Sequence, residues 1–128
     1  ETTVVPAALQ IELHPLLPQQ ELVDFCHENK ILVEAYSPLG SIGAPLLKTE
    51  ELIKLGEKYK VSTACICISW SVWRGVIPLP KSTKAARIAE NFKIVKLSDE
   101  DGKTVSELYK THGVQRFVAP DWGVKIFD

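Results

Sequence analysis

Short apolar runs alternate along the chain with longer segments whose apolar residues recur every three or four positions. Val4 to Ile11 is short, largely apolar, and ends at Glu12-Leu13-His14-Pro15. Ile31 to Tyr36 is a second such run, closed by Ser37-Pro38-Leu39-Gly40, and Gly75-Val76-Ile77-Pro78-Leu79 is a third, ended by Pro80. Each predicts a buried strand. Gln19 to Glu28 carries Leu22, Phe25 and Cys26 at helical spacing, with Asn29 as its C-terminal cap. Glu50 to Lys60 is a helix through Leu52, Ile53 and Leu55, and Ser62 or Thr63 caps another that runs through Trp73. Thr83 to Asn91 is helical, with Ile88 and Phe92 apolar; Ser98-Asp99-Glu100-Asp101 starts a last helix and Gly113 stops it. Residues 114–128 form a tail with Phe117, Trp122 and Phe127.

Strand–helix alternation predicts an α/β fold of parallel strands joined by right-handed crossovers. Three parallel strands cannot close a barrel, and they leave two edges of unpaired backbone groups. A partner is therefore expected: more of the same polypeptide, or another copy in a homo-oligomer.

Composition narrows the picture. The 128 residues carry a net charge of −1, from 15 basic and 16 acidic groups, and 45% are hydrophobic. That fits one globular domain and argues against disorder. Balanced charge argues against nucleic acid as a partner. The longest uncharged runs, Tyr36 to Leu47 and Val61 to Trp73, fall short of the ~20 residues that span a bilayer. The start, Glu1-Thr2-Thr3, lacks the basic-then-apolar pattern of a secretory signal. Three cysteines (Cys26, Cys65, Cys67) are an odd number without metal-like partners, which points to a reducing, cytoplasmic setting. There is no Met at all, so these residues are expected to derive from a longer translated chain.

Three segments carry candidate chemistry. In Ile77-Pro78-Leu79-Pro80-Lys81-Ser82-Thr83, a cation and two hydroxyls stand where a strand gives way to a helix, a setting that favours an anion. Arg87 lies four residues after Thr83 on the predicted helix, and its guanidinium suits a phosphate or an aromatic base; Glu90 and Asn91 follow. A nucleotide phosphate site fits this pattern, and so does a solvated basic turn capped by Thr83. The second segment, Tyr36-Ser37-Pro38-Leu39-Gly40-Ser41, offers a strand-end ring for stacking, and Ser37, Ser41 and loop amides for a pyrophosphate. Taken alone, this pattern favours a Tyr packed at a rim before a Pro-Gly turn, since Pro and Gly mark turns of every kind. In the third, Gln10, Glu12 and His14 alternate along an extended segment. A third metal ligand is missing, so hydrogen bonding within a loop is expected of Glu12 and His14. Cys65 and Cys67 point to different sides of a helix and read as buried thiols; Trp70 and Trp73 read as core. His27 and His112, near helix C-termini, read as structural.

Together the stretches Pro6 to Pro15 (PAALQIELHP), Leu32 to Gly40 (LVEAYSPLG), Trp70 to Ser82 (WSVWRGVIPLPKS) and Arg87 to Lys93 (RIAENFK) resemble the aldo-keto reductase family in order and spacing. The resemblance extends over nearly the whole chain and corresponds to the C-terminal two-fifths of such an enzyme. It implies a partial (β/α)8 TIM-type barrel with three strand–helix units over residues 1–97, then an additional helix and tail over residues 98–128. The tail, with Arg116-Phe117 and Pro120-Asp121-Trp122-Gly123, looks like that of fungal members.

The resemblance also implies roles. Gln10 would bond the nicotinamide carboxamide, and Tyr36 would stack under the nicotinamide ring. Ser37, Leu39 and Ser41 would line the pyrophosphate. Lys81, Ser82 and Thr83 would hold the adenosine 2′-phosphate, and Arg87 would contact that phosphate and the adenine face, with Glu90 and Asn91 at the adenine edge. NADPH, whose pro-R hydride reduces an aldehyde or ketone, is the cofactor so implied. The tail from Val114 onward would wall the site of a small carbonyl substrate. Leu9 stands where such enzymes usually carry Asn, and Cys65 where Gln is common. The family's Asp, Tyr, Lys and His tetrad belongs to the first half of the barrel, and none of its positions lies in this chain. The expectation is an NADPH-binding portion without a complete catalytic centre. The alternative is a non-catalytic nucleotide-binding or self-assembling protein derived from a truncated reductase.

Overall fold

The computed structural model describes residues 3–41, 43–121 and 123–124. Three parallel strands, β1 (Ala8–Glu12), β2 (Leu32–Tyr36) and β3 (Ile77–Pro78), pair in the order β1-β2-β3. Helix α1 (Gln20–Glu28) connects the first two, and α2 (Glu50–Tyr59) and α3 (Thr63–Trp73) connect the second two. After β3 come α4 (Ala85–Glu90), α5 (Asp99–Ser106) and α6 (Leu108–His112). This is the unclosed parallel α/β sheet that strand–helix alternation predicts, consistent with the partial barrel that the resemblance implies. No helix among the described residues is long and apolar enough to cross a membrane.

Strand periodicity sets the two faces of the sheet. Val33 and Ala35 are fully buried under the helices, whereas Leu32, Glu34 and Tyr36 alternate with them and keep some exposure. Parallel register pairs Gln10 with Glu34 and Glu12 with Tyr36. The face bearing Gln10, Leu32 and Ile77 is open among the described residues, as the concave side of an incomplete barrel would be.

Helix α3 is buried from Cys65 to Ser71 on every side, because its sequence is apolar around the whole circumference. Ser62 caps it, its hydroxyl accepting the Cys65 N–H at 3.3 Å. Trp70 at its centre is fully buried, and its indole N–H donates to Ser106 Oγ on α5 at 2.9 Å. Trp73 packs flat against Gly102 of α5: a Cβ there would lie 2.5 Å from Trp73 Cε2.

Several boundaries differ from the sequence expectation. The first strand begins at Ala8, not Val4, because its register opposes Ala8 to Leu32. Extended backwards, that register would set Val4 and Val5 against Glu28 and its cap Asn29 at the end of α1, and both valines are exposed. The third strand shrinks to two residues; Gly75 adopts φ 70°, and Pro78 and Pro80 lack an N–H for the ladder. Thr83 is not a helix cap. Ser82 Oγ accepts the Lys84 N–H at 3.1 Å, which prolongs the turn, and α4 starts only at Ala85. The last helix is two pieces, α5 and α6, divided at Glu107 (φ −100°) next to Ser106, whose hydroxyl donates back to the Gly102 carbonyl.

Asp101 ties α5 to α2. Its carboxylate receives Lys58 Nζ at 2.7 and 2.9 Å, the Tyr59 hydroxyl at 2.5 Å and the Ser98 hydroxyl at 2.8 Å. The Lys58 bond above all, then those from Tyr59 and Ser98, holds its pKa down to about 2. A depressed carboxyl stabilises the fold above its unfolded value and loses that contribution as the pH falls through the folded one. Asp101→Asn should therefore cost roughly 1.5–3 kcal/mol in urea unfolding at neutral pH. The gap between parent and variant should narrow between pH 4 and pH 2. Gly102→Ala should cost about 1–3 kcal/mol, because the added Cβ would overlap the Trp73 ring and force the ring or α5 to shift; thermal unfolding of the single variant checks this.

Candidate functional site

The loop that leaves β2 is held in a backbone conformation that side chains rarely adopt. Ser37 (φ 50°), Ser41 (φ 61°) and Ala44 (φ 39°) are all left-handed, as is Gly40 at φ 80°. Such strain persists only where the surroundings impose it, and it concentrates at ligand sites. Gly40 is required for a second reason: a Cβ would lie 3.2 Å from both Leu46 Cβ and Phe117 Cε2.

This loop forms one wall of a cavity of about 770 Å³. Ser37, Leu39 and Ser41 lie on that wall, Lys81 and Ser82 from the segment after β3 face them, and Arg87, Glu90 and Asn91 of α4 complete the far side. Two sequence segments, Ser37 to Ser41 and Lys81 to Asn91, are thus brought to one hollow by the β2–β3 crossover. Lys48, and Ser62 and Thr63 at the N-terminus of α3, also line it and escaped the sequence reading. The Ser-Thr pair opening an apolar helix was the available signal for the latter two. Lys48, Lys81 and Arg87 against Glu90 leave the hollow positive, as a polyanion requires.

Thr83 does not line this cavity. The expected shared face with Arg87 fails because Thr83 precedes the helix that carries Arg87. With only six residues and no side-chain cap, α4 contributes little dipole, so charge attraction rests on the side chains. Cys65, buried at the start of α3, donates to the Glu90 carbonyl at 3.3 Å and so ties α3 to the cavity wall on α4. Burial pushes the neighbouring Cys67 thiol up to about 12, which leaves it inert as a nucleophile.

Gln10 and Tyr36 stand outside the cavity, on the open face of the sheet. Gln10 is exposed, and its amide donates to Glu34 Oε2 at 2.9 Å. Leu9 packs against the core on the opposite face, so its departure from Asn does not project beside Gln10. Glu12 and His14 bond one another, both buried, with His14 Nε2 3.0 Å from Glu12 Oε1, but Glu12 ends β1 rather than lying in a loop, and His14 Nδ1 is left without a partner among the described residues. Burial lowers the His14 pKa despite the carboxylate beside it, so the ring is neutral and donates its Nε2 proton. Residues of the tail also close on this pair, the Phe117 ring centroid lying 5.0 Å from that of His14. Trp122 and Phe127 lie outside the described residues.

With this geometry in view, comparison with known proteins is decisive. The profile of the Aldo/keto reductase family matches residues 1–110. The chain belongs to the aldo/keto reductase family. An aldehyde reductase of Saccharomyces cerevisiae is 53% identical over 120 residues, spanning 94% of this chain and 38% of the relative. The glycerol 2-dehydrogenase (NADP(+)) of the same yeast is 48% identical over 119 residues, spanning 93% of this chain and 38% of the relative. An aldose reductase structure from Giardia lamblia superposes with a TM-score of 0.89 at 32% identity, over 100% of this chain and 45% of that one. The aldo/keto reductase chain described here therefore spans about two-fifths of the length of these curated relatives.

Proposed function

We propose that the chain is the cofactor-binding, C-terminal portion of an NADPH-dependent aldo-keto reductase that converts aldehydes or ketones to alcohols. The observation that carries this reading is the positive cavity, where Lys81, Ser82 and Arg87 face the strained Ser37–Ser41 loop. Its donor set fits NADPH: cations and hydroxyls for phosphate oxygens, and a planar guanidinium for the adenine face. Lys81, Ser82 and Arg87 hold the 2′-phosphate; Thr83, set back from the cavity, acts at most through its backbone. Glu90 and Asn91 meet the adenine edge, and Ser37, Leu39 and Ser41 line the pyrophosphate. On the open face Tyr36 stacks under the nicotinamide, and Gln10 exchanges its bond to Glu34 for one to the carboxamide.

When bound, NADPH supplies a hydride to the carbonyl carbon. Reduction also needs a proton donor at the carbonyl oxygen. Tyr36 does not serve, because a ring that supports the cofactor face is not free to reach the substrate oxygen. The acid and its partners come from the preceding barrel strands. Those strands would also pair with the edges of β1 and β3 and cover Ile77, Ile88 and Phe92, all exposed here.

A second copy of the chain would satisfy the same edges. That is the alternative, a nucleotide-binding self-assembling protein, and light scattering of the purified chain separates a defined oligomer from a monomer.

Fluorescence titration tests the cofactor reading. NADPH should bind more tightly than NADH. Lys81→Ala and Arg87→Ala should each weaken NADPH by ~tenfold, about 1.4 kcal/mol, and leave NADH nearly unchanged. Equal affinity for the two dinucleotides would remove the 2′-phosphate assignment. Aldehyde-dependent NADPH oxidation by the isolated chain should be undetectable, and robust turnover would overturn the absence of a proton donor.

A further inference from the structure

We propose that Glu12 is a positioning residue for the wall against which the carbonyl substrate rests; this deepens the reductase reading above and depends on it. The Glu12 side chain is fully buried at the C-terminal end of β1. Its Oε1 accepts the Phe117 N–H at 2.7 Å and the His14 Nε2 proton at 3.0 Å. Its Oε2 accepts the Val118 N–H at 3.0 Å and lies 3.8 Å from Arg116 Nη1. One residue earlier, the Gln115 N–H donates to the Leu16 carbonyl at 3.0 Å. A single carboxylate thus gathers two consecutive backbone amides from a segment over 100 residues away in sequence.

The place where it holds them matters. Glu12 is the register partner of Tyr36, so the tail is fastened beside the strand end where the nicotinamide is assigned. Phe117 fills the space that a side chain on Gly40 would occupy, which joins the tail to the strained cofactor loop. His14 completes the set, its Nε2 bonded to the same Oε1 that accepts the Phe117 N–H.

Chemistry makes the acid necessary. Glutamine has one acceptor oxygen, and its amide would oppose at least one N–H. Backbone N–H groups cannot exchange roles with an acceptor, so the tail would lose a bond and leave a buried donor unpaired. Residues 116–118 would then be free to lift from the mouth.

The test uses the full-length reductase, with NADPH and an aldehyde, and reads amide exchange and steady-state kinetics together. Glu12→Gln should speed exchange at Phe117 and Val118 by ~tenfold or more. It should raise the aldehyde KM by ~fivefold or more, a larger change than the loss in kcat, and move the NADPH Kd by less than ~twofold. Val118→Pro removes one donor while leaving Glu12 in place, and should reproduce the KM shift and the faster Phe117 exchange even if Glu12→Gln does not fold. Unchanged exchange in the variants would overturn the anchor itself. Faster exchange with an unchanged KM would overturn the tail's role as the substrate wall. Failure of the unsubstituted protein to bind NADPH would overturn the reductase reading, and with it the proposed role, while the exchange data still judge the anchor.

Discussion

Helix α3 has no face left for solvent from Cys65 to Ser71, and the positions of the other elements follow from that burial. It packs against β3 as well as against α2 and α5, with Ile66, Cys67 and Trp70 in the core and Trp70 bonded to Ser106 of α5. Burying a Trp and two Ile side chains fully contributes several kcal/mol, on the order of 1.5–3 for each. The bond from Trp70 to Ser106 and the close approach of Trp73 to Gly102 fix its rotation about its axis. Its N-terminus is therefore fixed too, and that N-terminus is where Ser62 and Thr63 meet the positive cavity. Packing on the helix side of the sheet thus sets the geometry of a polar site at the sheet's end.

The local half of this arrangement was legible in the sequence. Hydrophobic period and capping residues yield every major helix, and β2 differs from expectation by one residue at its start. Errors fall where the deciding partner is distant or where two local signals compete. Val4 and Val5 look like strand residues, but the ladder with β2 begins only at Ala8, opposite Leu32. Ser82 and Thr83 both look like caps, and the bond from the Lys84 N–H to Ser82 decides between a turn and a helix. Lys48 carries no motif around it; only the strained loop at Ser41 and Ala44 swings it to the cavity. The bonds from the Phe117 and Val118 amides to Glu12 are invisible to any window of sequence, because backbone donors leave no trace in residue type.

Charge, rather than helix geometry, suits the cavity to an anion. A strand followed at once by a helix start would have aligned free N–H groups behind Lys81. The chain instead makes a turn and then a six-residue helix whose described side chains are largely exposed. Lys81, Arg87 and Lys48 converge from three separate segments. Convergence of this kind is more sensitive to loop position than a helix terminus would be. Cys65 bears on this: the bond from its thiol to the Glu90 carbonyl secures α4 to the rigid α3. A buried thiol that packs as a small hydrophobe thereby helps hold Arg87 and Asn91 where they face the loop after β2.

The two ends of the site depend on different parts of a barrel. The cavity lies between successive units, so the crossover from β2 through α3 to β3 and α4 builds it entirely within this chain. The face bearing Gln10, Glu34 and Tyr36 is one side of a sheet, and three strands cannot curve it into an enclosure. There Gln10 bonds Glu34 across the strands, a pairing that satisfies both side chains while water is still nearby. Enclosure by further strands would strip that water and strengthen each polar contact on the face. On the proposed reading, recognition of the adenine-side phosphates is in this way separable from assembly of the reacting end, and only the latter demands a closed barrel.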